Sequence, residues 1–313
     1  MLGKTAGGLF WMFRYLERCE STARLIEAGW RMALTRSAGA DGEWDSVLTT
    51  VGAKNAYLAK HDDFSTPHVI NFLLRDKDYA GSILSMVKNA RDNARTVRTA
   101  LSSEVWEATN DCWMQLRAEL ARPVTERDLA TILTAIKNRA AVVRGALHST
   151  MLQNDIYNFA QIGTFLERAD NTARILDVKY YVLLPSAVHI GSSLDNAQWE
   201  TILRSVSAYR SYRWLYPGQI SPRGIADFMI LDKRMPRSIS FCGDKIIENL
   251  AALEKQYGQK NPSSDKVAAL FADTSQRSIE QIFESGLHEF LVDKISGFAD
   301  IANQVETDYR FYG

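Results

Sequence analysis

Two stretches of the chain set carboxylates and guanidiniums at spacings that suit acid–base or anion-binding chemistry. Leu16-Glu17-Arg18-Cys19-Glu20-Ser21-Thr22-Ala23-Arg24-Leu25-Ile26 aligns with Leu166-Glu167-Arg168-Ala169-Asp170-Asn171-Thr172-Ala173-Arg174-Ile175-Leu176, with six identities in eleven positions and a constant offset of 150. Two copies fall short of the three or more stacked units of a solenoid, so the reading is two related helical halves. At about 100° per residue, Glu167, Asp170, Asn171 and Arg174 share a helix face, as do Glu17, Glu20 and Arg24. Glu20 to Arg24 and Asp170 to Arg174 are acid-before-base pairs at i,i+4, the favourable order on a helix. Met12, Tyr15, Cys19 and Ile26 form the apolar reverse in the first copy; Ile162, Phe165, Ala169, Thr172 and Leu176 do so in the second. Such a pattern fits either a solvated face laced with weak ion pairs or a polar seam between helices. Phe10 and Phe13 project onto the side of Glu17 and Glu20, which favours the seam. In that reading Glu17 and Glu167 are candidate general bases, and Arg14, Arg18, Arg24, Arg168 and Arg174 are candidate anion binders. A seam about a pseudo-two-fold axis would bring Arg24 and Arg174 together across a cleft.

Two further basic clusters could hold an anion. Arg91, Arg95 and Arg98 recur at i, i+4 and i+7, a one-sided stripe suited to carboxylate or phosphate, or to pairing with acids on neighbouring helices. Pro236-Arg237-Ser238 reads as a helix start, where free amides and the positive dipole end favour an anion, or as an ordinary capped and packed terminus. Other chemistry is unsupported. His61, His68, His148, His189 and His288 never approach metal-ligand spacing, so no metal or cofactor is expected. No Gly-x-Ser-x-Gly element occurs. Gly3-Lys4-Thr5 lacks the preceding strand and glycine of a phosphate-binding loop.

The elements that must position these residues are helices. Apolar residues recur at helical spacing in residues 5–35, 78–100, 102–121, 126–149, 153–184, 195–211, 238–257 and 275–310, and no alternating strand pair flanks a hairpin turn. Breaks fall at Ser37–Gly42, Thr66-Pro67, Arg122-Pro123, Gly191–Ser193 and Gln259–Asp265, with Thr125 a helix cap. Pro217, Pro222 and Pro236 make residues 217–236 the least helical stretch, a structured loop or short-helix corner. The fold class is therefore all-α: one domain over residues 1–313, a large multi-helix bundle with halves of about 1–150 and 151–313. Hydrophobic residues make up 46% and charged residues 24%, an ordinary globular balance. Thirty-seven basic residues offset thirty-seven acidic ones, so no net field draws the chain to nucleic acid or anionic lipid. Cys19, Cys112 and Cys242 are too few and too scattered for a disulfide framework and read as buried thiols. The apolar run Gly7–Phe13 is too short for a signal peptide or a membrane span, which points to the cytoplasm.

Trp11-Met-Phe-Arg14-Tyr-Leu16-Glu17-Arg18 and its echo at Leu166-Glu167-Arg168, together with Asn89–Arg98, Asp232–Cys242 and Phe283-Glu-Ser-Gly-Leu-His288-Glu-Phe290 in the last helix, resemble the bacterial alpha-E family across nearly the whole chain. Phe13, where glycine is expected, and Cys19, where alanine is common, depart mildly from it. The resemblance implies an all-helical protein encoded beside, or fused to, circularly permuted ATP-grasp ligase-like proteins and transglutaminase-like peptidases. The implied setting is peptide or amide-bond synthesis and modification. There the Glu-Arg faces would bind an amino acid, a peptide carboxylate or the ligase itself. Two functions are expected from this: an accessory, substrate-positioning partner of the ligase-like protein, or an enzyme whose active site is the Glu/Arg cleft.

Overall fold

The computed structural model describes residues 1–34, 41–182, 193–218 and 220–312, and among these there is no strand. Among the described residues fifteen α-helices follow one another: α1 (Gly3–Ala33), α2 (Asp41–Thr50), α3 (Lys54–Leu58), α4 (Thr66–Arg75), α5 (Ile83–Thr96), α6 (Ser103–Glu119), α7 (Glu126–Thr150), α8 (Asp155–Val182), α9 (Ser193–Ser205), α10 (Tyr209–Leu215), α11 (Pro222–Ile230), α12 (Ile239–Tyr257), α13 (Pro262–Gln276), α14 (Ile279–Ser285) and α15 (Leu287–Asp308). None of the described helices is long and apolar enough to cross a membrane.

The long helices lie where the apolar period places them, and their ends follow local chemistry. Ser82 and Ser238 accept the backbone N–H of Ser85 and Phe241 and so start α5 and α12, while Gly258, at φ +67°, ends α12 in the left-handed conformation that only glycine adopts freely. Thr125 is the N-cap residue of α7, but its hydroxyl bonds the Asp128 side chain instead of a backbone amide. Elsewhere the expected boundaries need correction. Thr66-Pro67 begins a helix instead of breaking one, because proline in the first turn loses no intrahelical bond, and Pro222 likewise starts α11, a short helix in the 217–236 corner. The 195–211 segment is split at Ser207 (φ +57°) and the 275–310 segment at Gly286 (φ +95°), so Phe283–Phe290 spans α14 and α15. The breaks expected at Ser37–Gly42 and Gly191–Ser193 lie outside the described residues, except that Asp41 and Gly42 already belong to α2 and Ser193 to α9.

At the centre, α1 and α8 lie side by side. Gly163 of α8 faces the backbone of Phe10, Glu167 bonds Arg14, and Arg168 bonds Glu17, so both helices run in the same direction. Around α1 pack α5, α7 and α9, with α6 bridging α5 and α7; around α8 pack α12, α15 and α2, with α13 bridging α12 and α15. Packing on several sides corrects the expected division of α1 into charged and apolar faces. Phe10 and Phe13 are as fully buried as Met12, Cys19 and Ile26, and the side of the helix left partly open carries Lys4, Trp11, Tyr15 and Arg18. The three cysteines are free and buried, and burial pushes the Cys112 and Cys242 thiols up to about 12.

Candidate functional site

The two Leu-Glu-Arg segments meet where α1 and α8 touch, and they pair crosswise. Glu17 accepts from Arg168 through both oxygens, Nε to Oε1 and Nη2 to Oε2, each at 2.9 Å. Reciprocally, Glu167 accepts from Arg18, Nε to Oε1 at 2.5 Å and Nη2 to Oε2 at 2.8 Å. Both are two-bond forks, the geometry in which a planar guanidinium best matches a carboxylate. Arg14 adds a bond to Glu167 Oε2 at 2.9 Å, its guanidinium lying over the Trp11 ring at 4.7 Å. On the other side Arg237 reaches Glu17 Oε1 at 3.1 Å and Glu20 Oε1 at 2.7 Å. Arg144 of α7 contacts Glu17 Oε2 at 3.4 Å and the second oxygen of Glu20. The carboxylates are sealed: Glu17 and Glu20 are 1% exposed and Glu167 is 0% exposed.

Arg24 and Arg174 do not meet across a cleft. Each is held along its own helix by the acid one turn earlier. Arg24 Nε and Nη2 take Glu20 Oε1, and Arg174 Nε takes Asp170 Oδ2 at 2.8 Å. The spare nitrogen of Arg24 turns outward to the Ser205 carbonyl and the Ser207 hydroxyl. The basic stripe of α5 also disperses. Arg91 donates to Asn110, Arg95 is exposed beside Asp92, and Arg98 lies past the end of α5 in a 3-10 turn, over the Trp106 ring. At the start of α12 the cap is Ser238, and Arg237 enters the seam instead of framing an anion site at that terminus. Arg144 escaped sequence reasoning: it has no counterpart in the repeated segment and reaches Glu17 from 127 residues away. Among the described residues, no group of three His, Cys, Asp or Glu side chains is placed to hold a metal ion.

Four carboxylates (Glu17, Glu20, Glu167, Asp170) thus face seven arginines (14, 18, 24, 144, 168, 174, 237). Burial, the largest influence on Glu17, raises its pKa, but Arg168, Arg237 and Arg144 together outweigh it and hold the carboxyl well below its ordinary range. Glu167 is lowered in the same way by Arg18 and Arg14 against burial. For Glu20, burial and the Glu17 charge are likewise overcome by Arg237, Arg144 and Arg24. Asp170 goes the other way, raised by burial that Arg174 alone does not offset. Arg237, buried among other cations, falls to about 10. Groups with a depressed folded pKa stabilise the fold fully above the unfolded carboxyl value and lose that contribution as pH falls through the folded one; a raised carboxyl does the reverse. Three depressed groups against one raised group give a melting temperature that declines steadily once pH drops below 4.5, the ordinary glutamic acid value. Glu167→Gln flattens that decline. Differential scanning fluorimetry across the acid range checks both, and a melting temperature indifferent to pH below that value would contradict the seam's electrostatics.

A helical bundle whose two central helices exchange Glu-Arg forks is the class of protein this arrangement defines. The chain belongs to the Alpha-E family, described as a predicted alpha-helical domain with a conserved ER motif, which matches residues 1–309. It is similar to an uncharacterised protein of Mycobacterium bovis, 22% identical over an alignment of 309 residues that covers 92% of this chain and 34% of the relative. Uncharacterised proteins of two Mycobacterium tuberculosis strains match to the same extent. The chain therefore spans about a third of the length of the curated relatives it matches. No solved structure matches it.

Proposed function

We propose that this chain is a non-catalytic accessory domain. It docks on an ATP-grasp ligase-like protein and helps position an acidic or peptidic substrate for peptide or amide-bond synthesis or modification. The observation that carries the non-catalytic part is the saturation of Glu17 and Glu167: every carboxylate oxygen already accepts from arginine, out of reach of solvent. A carboxylate so stabilised as its anion is a poor general base, since proton abstraction needs a pKa near the working pH. The seam arginines are likewise spent on internal acids, so the ER motif serves to join α1 to α8. The family resemblance supplies the ligase-like partner. The greater length of the mycobacterial relatives supports a domain that works beside further polypeptide.

Co-expression with the ligase-like protein encoded beside it, followed by affinity capture and an ADP-release assay with amino-acid mixtures, tests the proposal. A stable complex with altered ADP release is expected. Absence of a complex, with unchanged release, overturns it. Turnover of a substrate by the isolated chain overturns the non-catalytic part.

A further inference from the structure

The ends of α2 and α9 are built alike. Ala53 N–H donates to the Leu48 carbonyl at 2.8 Å past Gly52 (φ +68°), and Ala208 N–H donates to the Leu203 carbonyl at 2.8 Å past Ser207 (φ +57°). Trp44 and Trp199 are buried one turn before these leucines, and Tyr57 and Tyr212 are buried after them. Each of these pairs is separated by 155 residues. Beside each end lies a cavity: one of about 380 Å³ where α2 meets α8, and one of about 360 Å³ where α9 meets α1. They differ in charge. The first mixes Asp45 and Asp177 with Lys54 and Arg174, whereas the second carries Arg31, Arg204 and Arg210 against Glu27.

We propose that the cavity between α1 and α9 binds a small oxyanion, a carboxylate or phosphoryl group, through Arg204, Arg210 and Ser207. Among the described lining residues the acid is Glu27, and it is occupied, accepting from Arg31 at 2.8 Å and from Lys137 at 2.5 Å. Arg204 is fixed in place: Glu200 accepts from its Nε at 2.8 Å and from its Nη2, its guanidinium lies 4.1 Å from the centre of the Tyr209 ring, and its Nη1 is left for a ligand. Arg210 is exposed at the rim and makes no ion pair among the described residues. Ser207 holds a left-handed conformation that is unfavourable for a non-glycine residue. The corresponding position in α2 is a glycine, Gly52, which adopts it freely. What serine adds is a hydroxyl. Its oxygen accepts from Arg24 at 2.8 Å, so its proton remains to be donated into the cavity.

This site touches the ER seam through Arg24, but its test uses the isolated chain, so failure here is distinguishable from failure to bind a ligase. Inorganic phosphate and succinate are titrated separately at constant ionic strength, and binding is read from the melting temperature and by calorimetry. Saturable binding of one or both is expected, and the better probe identifies the ligand group. Arg204→Ala and Arg210→Ala, both at exposed positions, each weaken it at least tenfold, while Lys54→Ala in the other cavity leaves it unchanged. The proposal is overturned if neither anion saturates, if the arginine variants bind as the parent does, or if Lys54→Ala weakens binding equally.

Discussion

Glu17→Gln destabilises the chain by about 3–5 kcal/mol, the cost of removing one partner from a buried ion pair. Glu167→Gln costs distinctly less. The two sites share one fork geometry but differ in what they strand. Without Glu17, Arg168 and Arg237 are left at 11% and 12% side-chain exposure, with Arg144 at 19%. Without Glu167, Arg14 remains at 10%, but Arg18, at 38%, can turn its guanidinium to water. The penalty is that of an uncompensated charge, so removing the charge recovers it. Glu17→Gln combined with Arg237→Met is therefore more stable than Glu17→Gln alone, a sign opposite to what additive loss of contacts gives. Urea unfolding of the three variants and the parent measures this order; equal losses for Glu17→Gln and Glu167→Gln would contradict it.

The residues of these forks were legible in the sequence because the same segment occurs twice, and a motif repeated at a fixed offset marks equivalent environments. Which residues complete the forks was not legible. The i,i+4 pairs suggested arginines serving their own helix, which holds for Arg24 and Arg174, but Arg18 and Arg168 follow the glutamates directly and project off that row to the other helix. Arg144 and Arg237 arrive from α7 and the start of α12, brought by packing that no local pattern encodes. The fold divides the same way. Long helices such as α7 and α12 reveal themselves by period, whereas α2, α3, α4 and α11, of ten residues or fewer, are too short to be stable alone and form because Trp44, Tyr57, Phe72 and Phe228 are buried against their neighbours. Pro67 reads as a breaker because sequence alone does not say on which side of it the helix lies.

Gly163→Ala is the second substitution with a large expected effect, and it is the one that tests whether the seam depends on how closely α1 and α8 approach. A Cβ at Gly163 would stand 2.3 Å from the Phe10 carbonyl oxygen and 3.2 Å from its Cα. These are backbone atoms, so no side chain can move aside and α1 itself must shift. Replacing glycine by alanine in a helix ordinarily gains about 0.5–1 kcal/mol. Here that gain is set against overpacking of about 1–3 kcal/mol, and against lengthening of the forks one turn onward at Glu167 and Arg168, whose bonds weaken steeply with distance and misalignment. We expect a net loss of about 2 kcal/mol. Gly145→Ala supplies the control, because that glycine lies on the exposed side of α7 with nothing within 4 Å of its added Cβ, and it stabilises by up to about 1 kcal/mol. Opposite signs from one chemical change, measured by urea unfolding, would locate the difference in the contact between the central helices. A destabilised Gly163→Ala whose acid sensitivity matches the parent's would separate the close approach from the forks. An unchanged stability would show that α1 and α8 are not held at this distance.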